Sequence, residues 1–194
     1  MGRSMKVSVG LIALILGLSG TVWAATILVD DFNRGEKPNA LGGDFGAWDK
    51  DPSDPTQGCK ISFDKGNAFG GVGYALMLDY DVDSPNPAYN GFWMKLEGID
   101  ISQYKKLSFF VKGDALKGFT PQIKLELKNS KKEVGRYLLK NLSDKWQQVS
   151  VSLSEFVGLT DLKGMTEFVI VFDDITSTKK VGTVYIDEIT FEGS

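Results

Sequence analysis

The stretch Gln122-Ile-Lys-Leu-Glu-Leu-Lys128 alternates apolar and charged residues without a break. A strand sends successive side chains to opposite faces, so Ile123, Leu125 and Leu127 share one face while Lys124, Glu126 and Lys128 share the other. Such a segment is half-buried, as in an antiparallel sheet with one wet side. The same period recurs in Trp146–Leu153, where Val149, Val151 and Leu153 oppose Gln148, Ser150 and Ser152. Working outward, period-two segments bounded by turn residues predict further strands near Ile27–Phe32, Lys60–Asp64, Tyr74–Asp81, Tyr89–Leu96, Leu107–Lys112, Glu133–Leu139, Glu167–Phe172 and Val181–Phe191. In Phe168–Phe172 both alternating sets are apolar, which predicts a strand covered on both sides. The helix candidates are single turns at Asp100–Tyr104 and Ser154–Val157, and no long internal repeat is visible. Many short strands with turn residues between them predict an all-β sandwich of antiparallel sheets.

The first residues carry a different signal. Arg3 and Lys6 precede an apolar run over Val7–Leu18, and Val22-Trp23-Ala24 has the small-residue pattern of a cleavage site. The expectation is a signal peptide over residues 1–24 and one domain over residues 25–194, secreted or periplasmic. An uncleaved membrane anchor is the alternative. After cleavage no membrane association is expected.

Composition narrows the chemistry. Loss of Arg3 and Lys6 from a chain of net charge −3 leaves −5, which attracts neither nucleic acid nor an anionic membrane surface. The sequence contains 0 His, which excludes Ser-His-Asp and Cys-His catalysis and histidine-ligated metals. The single cysteine, Cys59, has no partner for an internal disulfide and reads as a small buried strand residue.

Aromatic residues concentrate in Ser84–Gly98. On the predicted strand Phe92, Met94 and Leu96 take the core side, and Tyr89, Gly91, Trp93 and Lys95 take the other. Aromatic rings on a rigid sheet can stack on the C–H faces of sugars, while charged and amide groups read the hydroxyl edges. This makes Tyr89, Trp93 and Tyr137 candidates for stacking, with Phe110 a further possibility beside them, and Lys95, Glu126, Gln148 and Lys124 candidates for hydroxyls. The alternative for Trp93 and Phe110 is a small cluster under a loop. The segment Asn39–Asp54 reads as a glycine-rich loop; its Phe45 staples the loop to the sandwich, and its Trp48 is a further candidate ligand residue.

The order of the pieces Val29–Gly35, Gly91–Gly113, Asn141–Phe156 and Gly182–Gly193 resembles family 11 carbohydrate-binding modules and the wider galactose-binding-like jelly rolls. That wider set includes the complex I intermediate-associated protein 30 domain. The resemblance implies a jelly-roll β-sandwich of two antiparallel sheets, a concave face for a glucan chain, and structural calcium (Ca2+). It also implies a monomer that recognises a polysaccharide or oligosaccharide of β-glucan type without cutting it. By residue, it places a ligand tyrosine on Tyr89 and an approximate counterpart of a second on Tyr137, with the register ambiguous by one. The calcium positions fall on Asp187, Asp31 and Asn33, where Asn33 replaces the usual glutamate and would hold the ion less strongly. The intermediate-associated relatives suggest the alternative of an exported protein-interaction or assembly module.

The closing Tyr185-Ile-Asp187-Glu188-Ile-Thr-Phe-Glu192 superficially resembles the carboxylate signature of laminarinase-type hydrolases. Tyr185 stands at the nucleophile position, and an unbroken strand would send Asp187 and Glu192 to opposite faces, so the required pair is missing. No catalytic residues are assigned.

Overall fold

Alternation along each strand, together with turns rich in glycine and aspartate, produces two antiparallel sheets packed face to face. The structure, a computed structural model, describes residues 25–193; the expected signal peptide lies outside them. The strands are β1 (Thr26–Asp30), β2 (Phe45–Asp49), β3 (Gly58–Asp64), β4 (Ala75–Asp81), β5 (Tyr89–Ile99), β6 (Lys106–Gly113), β7 (Gln122–Asn129), β8 (Val134–Lys140), β9 (Gln147–Ser152), β10 (Met165–Asp173) and β11 (Val181–Glu192). Helix among the described residues is confined to 3-10 turns at Phe69–Gly71 and Leu153–Glu155. One sheet runs β3-β4-β11-β6-β9, with β1 also on β11; the other runs β2-β5-β10-β7-β8.

The core lies between the sheets. Phe92, Met94 and Leu96 of β5 and Phe168, Ile170 and Phe172 of β10 meet Leu76, Leu78, Val184 and Ile186 from the facing sheet, all buried. Tyr80 and Phe172 stack across the interface at 4.0 Å between ring centres. The Tyr80 hydroxyl donates to the Lys179 carbonyl and accepts the Thr120 N–H, so the ring is buried without stranding its polar end. Cys59 is buried, and burial pushes its thiol well above the ordinary range, as for an inert core residue. The ends of the described chain meet where the Gly193 N–H donates to the Ala25 carbonyl at 2.7 Å.

Two expectations are corrected here. Residues 45–49 are a strand, because Phe45 and Ala47 take the core face while Gly46 and Trp48 face out, a short alternation hidden by the surrounding glycines. Phe45 is therefore a core residue, edge-on to Phe32 at 6.0 Å, and not a staple for its own loop. The second concerns β11, where Glu188 sits at φ 49 in a bulge between Asp187 and Thr190. The extra residue resets the alternation, so Asp187, Thr190 and Glu192 share the outer face, opposite Phe110, Ser108 and Lys106. Asp187 and Glu192 are then two side chains apart on one face, on the order of 13 Å at strand rise, wider than the ~5–9.5 Å of glycosidase carboxylate pairs.

Candidate functional site

The outer face of the five-stranded sheet is built from cross-strand rows. Gly46, Trp93, Val169, Glu126 and Arg136 form one; Trp48, Gly91, Val171, Lys124 and Leu138 form the next; Lys95, Glu167 and Lys128 form a third. Tyr89 sits opposite Asp173 at the end. These rows leave a groove of about 440 Å3 walled by Trp48, Tyr89, Trp93 and Lys95 on one side and Glu126, Lys128 and Glu167 on the other. A second depression of about 390 Å3 adjoins it, sharing Tyr89, Glu126 and Val171. Val169 and Val171 form the floor and are themselves buried, which is why the strand reads as apolar on both faces.

Each ring is held by its surroundings. Trp93 lies against Gly46, where an added Cβ would come within 3.2 Å of the indole, and its N–H donates to the Ala47 carbonyl at 3.3 Å. Trp48 faces Gly91, and Gly91 itself is required because a Cβ there would lie 1.9 Å from the Ile170 carbonyl oxygen. Trp48 packs on Tyr89 at 5.8 Å between ring centres, and its buried indole N–H has no partner among the described residues. Tyr89 is 42% exposed, with the Lys50 ammonium 5.2 Å from its ring centre.

Ion pairs tie the polar side of the groove together. Glu167 accepts Lys95 at 2.5 Å and Lys128 at 3.1 Å, one on each carboxylate oxygen. Lys95 also stands 5.4 Å over the Trp93 ring, a cation–π contact. Glu126 pairs with Arg136 at 3.2 Å, and Asp173 with Lys124 at 2.8 Å. Burial pushes the Glu167 and Asp173 carboxyls up, but the hydrogen bonds and charges of Lys95 and Lys128 at Glu167, and of Lys124 with the Thr176 hydroxyl and N–H at Asp173, together outweigh it and hold both below the ordinary carboxylate range.

Trp48, Tyr89, Trp93, Lys95 and Glu126 therefore come together as the sequence suggested. Tyr137 does not. It pairs with buried Leu125 and turns to the core side against Phe156 at 5.9 Å, while its neighbours Arg136 and Leu138 take the groove face. A register shift of one residue exchanges the faces of a strand, and the ambiguity resolves against the tyrosine. Gln148 is exposed as its alternation implies, but it belongs to β9 and pairs with Phe110 on the opposite sheet. Phe110 stacks on Phe69 at 3.6 Å in a cluster with Trp146, also away from the groove. Glu167, Lys128 and Arg136 were missed, since nothing local in the sequence shows which strands become neighbours.

The predicted calcium residues sit at the other sheet. Asp187 is 2% exposed; its Oδ2 accepts the Phe69 N–H and its Oδ1 the Glu188 N–H, each at 2.9 Å. Burial, with added repulsion from Glu188 and Asp31, raises its pKa to about 6. No lysine or arginine pairs with Asp187 among the described residues, so the chemistry of this carboxylate fits a hard cation. No group of three or more His, Cys, Asp or Glu residues gathers there or elsewhere among the described residues, so most of the ion's ligands would have to be amide and backbone oxygens. Asn33, whose N–H donates to Asp31 Oδ1 at 3.1 Å, supplies an amide oxygen close by in sequence.

Comparison with known proteins gives this groove its context. Residues 20–188 match the family model for the carbohydrate binding domain (family 11). The chain belongs to carbohydrate-binding family 11. The family 11 module from Clostridium thermocellum in complex with a β-1,3-1,4-mixed-linked tetrasaccharide aligns with a TM-score of 0.64 at 17% identity, over 87% of this chain and 96% of that one. The solution structure of CtCBM11 aligns at 0.65 and 18%, over 90% and 98%. An exo-β-agarase aligns at 0.63 and 15%, over 86% of this chain and 25% of the agarase. At such identities the likeness establishes the jelly-roll fold. No curated protein sequence matches the chain. The family 11 domain thus presents a groove lined by three aromatic rings on its five-stranded sheet.

Proposed function

We propose that this family 11 domain is an exported, non-catalytic, monomeric module that binds a β-glucan-like polysaccharide along the groove. Trp48, Tyr89 and Trp93 stack on sugar faces, and Lys95 and Glu126 read hydroxyls together with Lys128 and Glu167. The observation that carries the reading is the set of fixed, partly open rings along one wall, opposite charged side chains above an apolar floor. The mixed-linked tetrasaccharide bound by the C. thermocellum relative supports a β-glucan as the first ligand to try.

Affinity electrophoresis in gels with and without mixed-linkage glucan, xylan and mannan tests it. Retardation by a glycan is expected, lost in Tyr89→Ala. Migration unaffected by all three, with the variant indistinguishable from the parent, would refute the reading and favour an assembly module. Structural calcium held by Asp187 with Asp31 and Asn33 is part of the proposal. An ion bound only to the folded state stabilises it by about 2.7 kcal/mol at a hundredfold excess over Kd. Chelation should therefore lower the melting temperature, and identical melts in chelator and millimolar calcium would remove the ion from the account.

A further inference from the structure

The two adjoining depressions are lined by cationic Lys95, Lys124, Lys128 and Arg136 and by the carboxylates of Glu126, Glu167, Asp173 and Asp174. Positive and negative groups are equal in number, so the groove as a whole carries no net charge. Three of the carboxylates hold all four cations, Glu126 with Arg136, Asp173 with Lys124 and Glu167 with both Lys95 and Lys128, while Asp174 makes no ion pair among the described residues. Glu167 differs from the others. It is the only one of them bridging two ammonium groups, Lys95 at 2.5 Å and Lys128 at 3.1 Å, and it draws both inward from strands on either side of β10. Its side chain is 21% exposed, while those of Lys95 and Lys128 are 44% and 34% exposed, so the carboxylate lies under two ammonium groups that face the ligand space.

From this arrangement we infer that Glu167 determines selectivity: by offsetting one of the two charges of Lys95 and Lys128 and occupying a donor of each, it keeps the groove for uncharged glycans and denies it to carboxylated ones. The inference rests on the functional reading above and goes further, to the residue that sets the ligand's charge class. An ammonium has three donors, and one from each lysine is committed to Glu167. The remaining donors are free to bond sugar hydroxyls. A uronate, by contrast, must compete with a fixed carboxylate for both cations and brings its own charge within a few ångströms of Glu167, a repulsion strengthened by the apolar floor. Replacing Glu167 by glutamine keeps the shape, removes one negative charge and leaves two ammonium groups facing the ligand.

Isothermal titration of the parent and Glu167→Gln with the neutral β-1,3-1,4-linked tetrasaccharide and with tetragalacturonate tests this. At low ionic strength the parent should bind the neutral ligand and not the uronate. The variant should gain uronate affinity by about tenfold or more, and the gain should collapse in about 0.5 M salt as screening shortens its range. A merely structural role for Glu167 predicts loss toward both ligands and no gain. The double variant Glu167→Gln/Lys95→Gln restores the charge balance and should lose the gained affinity. If Glu167→Gln does not fold, Glu167→Ala removes the same charge and should show the same salt-sensitive gain in uronate affinity, and its absence in the folded variant overturns the inference. A parent that already binds tetragalacturonate, or a folded Glu167→Gln with no gain, overturns the inference. A parent that binds neither ligand beside a variant that binds uronate upholds Glu167 as the charge gate but overturns the β-glucan reading; no binding by any form overturns both.

Discussion

Replacing Trp93 with alanine separates the binding role of the groove from the stability of the sandwich. One face of the indole lies on Gly46, so only the other is open to a sugar. A buried tryptophan covers about 150–250 Å2, and one open face is roughly a third of that, about 70 Å2. At about 25 cal/mol per Å2 this comes to about 1.8 kcal/mol of binding free energy, or roughly twentyfold in Kd. The ring also anchors Lys95 from 5.4 Å, so part of the polar wall loosens with it. On the protein's own account the loss is small, since the ring is only partly buried and its hydrogen bond to the Ala47 carbonyl is long, at 3.3 Å. Titration calorimetry with the glycan that retards the parent, paired with thermal melts, should show affinity falling about twentyfold while the melting temperature moves by about 3 °C or less. Unchanged affinity in a folded variant would show that the ring is not a platform. A melting temperature lowered by tens of degrees would show that it is part of the core.

Three further outcomes follow from the geometry. Tyr137→Ala removes a ring packed on Phe156 and turned from the groove, so melting should fall by about 6 °C, for a loss of about 2 kcal/mol, with glycan affinity unchanged; weakened binding at equal stability would return Tyr137 to the site. Gly91→Ala places a Cβ 1.9 Å from the Ile170 carbonyl oxygen, and the two central strands must part. That costs about 3 kcal/mol or more and about 9 °C in melting temperature; a melt equal to the parent's would refute the close approach. Glu167 and Asp173 have native pKa values held below the ordinary 4.5 and 3.8, so they stabilise the fold above those values and lose the contribution as pH falls through the native ones. The parent should lose melting temperature below about pH 4.5 more steeply than Glu167→Gln/Asp173→Asn, and superimposable acid limbs would show that the pairs contribute nothing.

Much of this was legible from alternation alone. Lys124 and Glu126 face out and Leu125 faces in because strand period is a local property, written in the residues themselves. Tyr89, Trp93 and Lys95 fall on the groove side for the same reason. Where alternation was short or interrupted, the reading failed. The five residues of β2 were hidden among glycines, the bulge at Glu188 reversed a face, and Tyr137 lost its place to a shift of one residue. A different limit governed Gln148 and Glu167. Each has the exposure that its own strand implies, but which sheet receives β9, and which strands flank β10, depends on pairings between segments far apart in the chain. The ammonium clamp on Glu167 exists only after β5, β10 and β7 have been laid side by side.

The hydrogen bond between Gly193 and Ala25 has an architectural corollary. Both ends of the described residues lie beside β1 and β11, on the sheet that faces away from the groove. Cargo joined at either end, whether a fluorescent reporter, a surface tether or an enzyme, would hang behind the domain and leave the face toward the polymer clear. Joining these two ends with a short linker and reopening the chain at an exposed turn would yield a circular permutant with the ligand face intact.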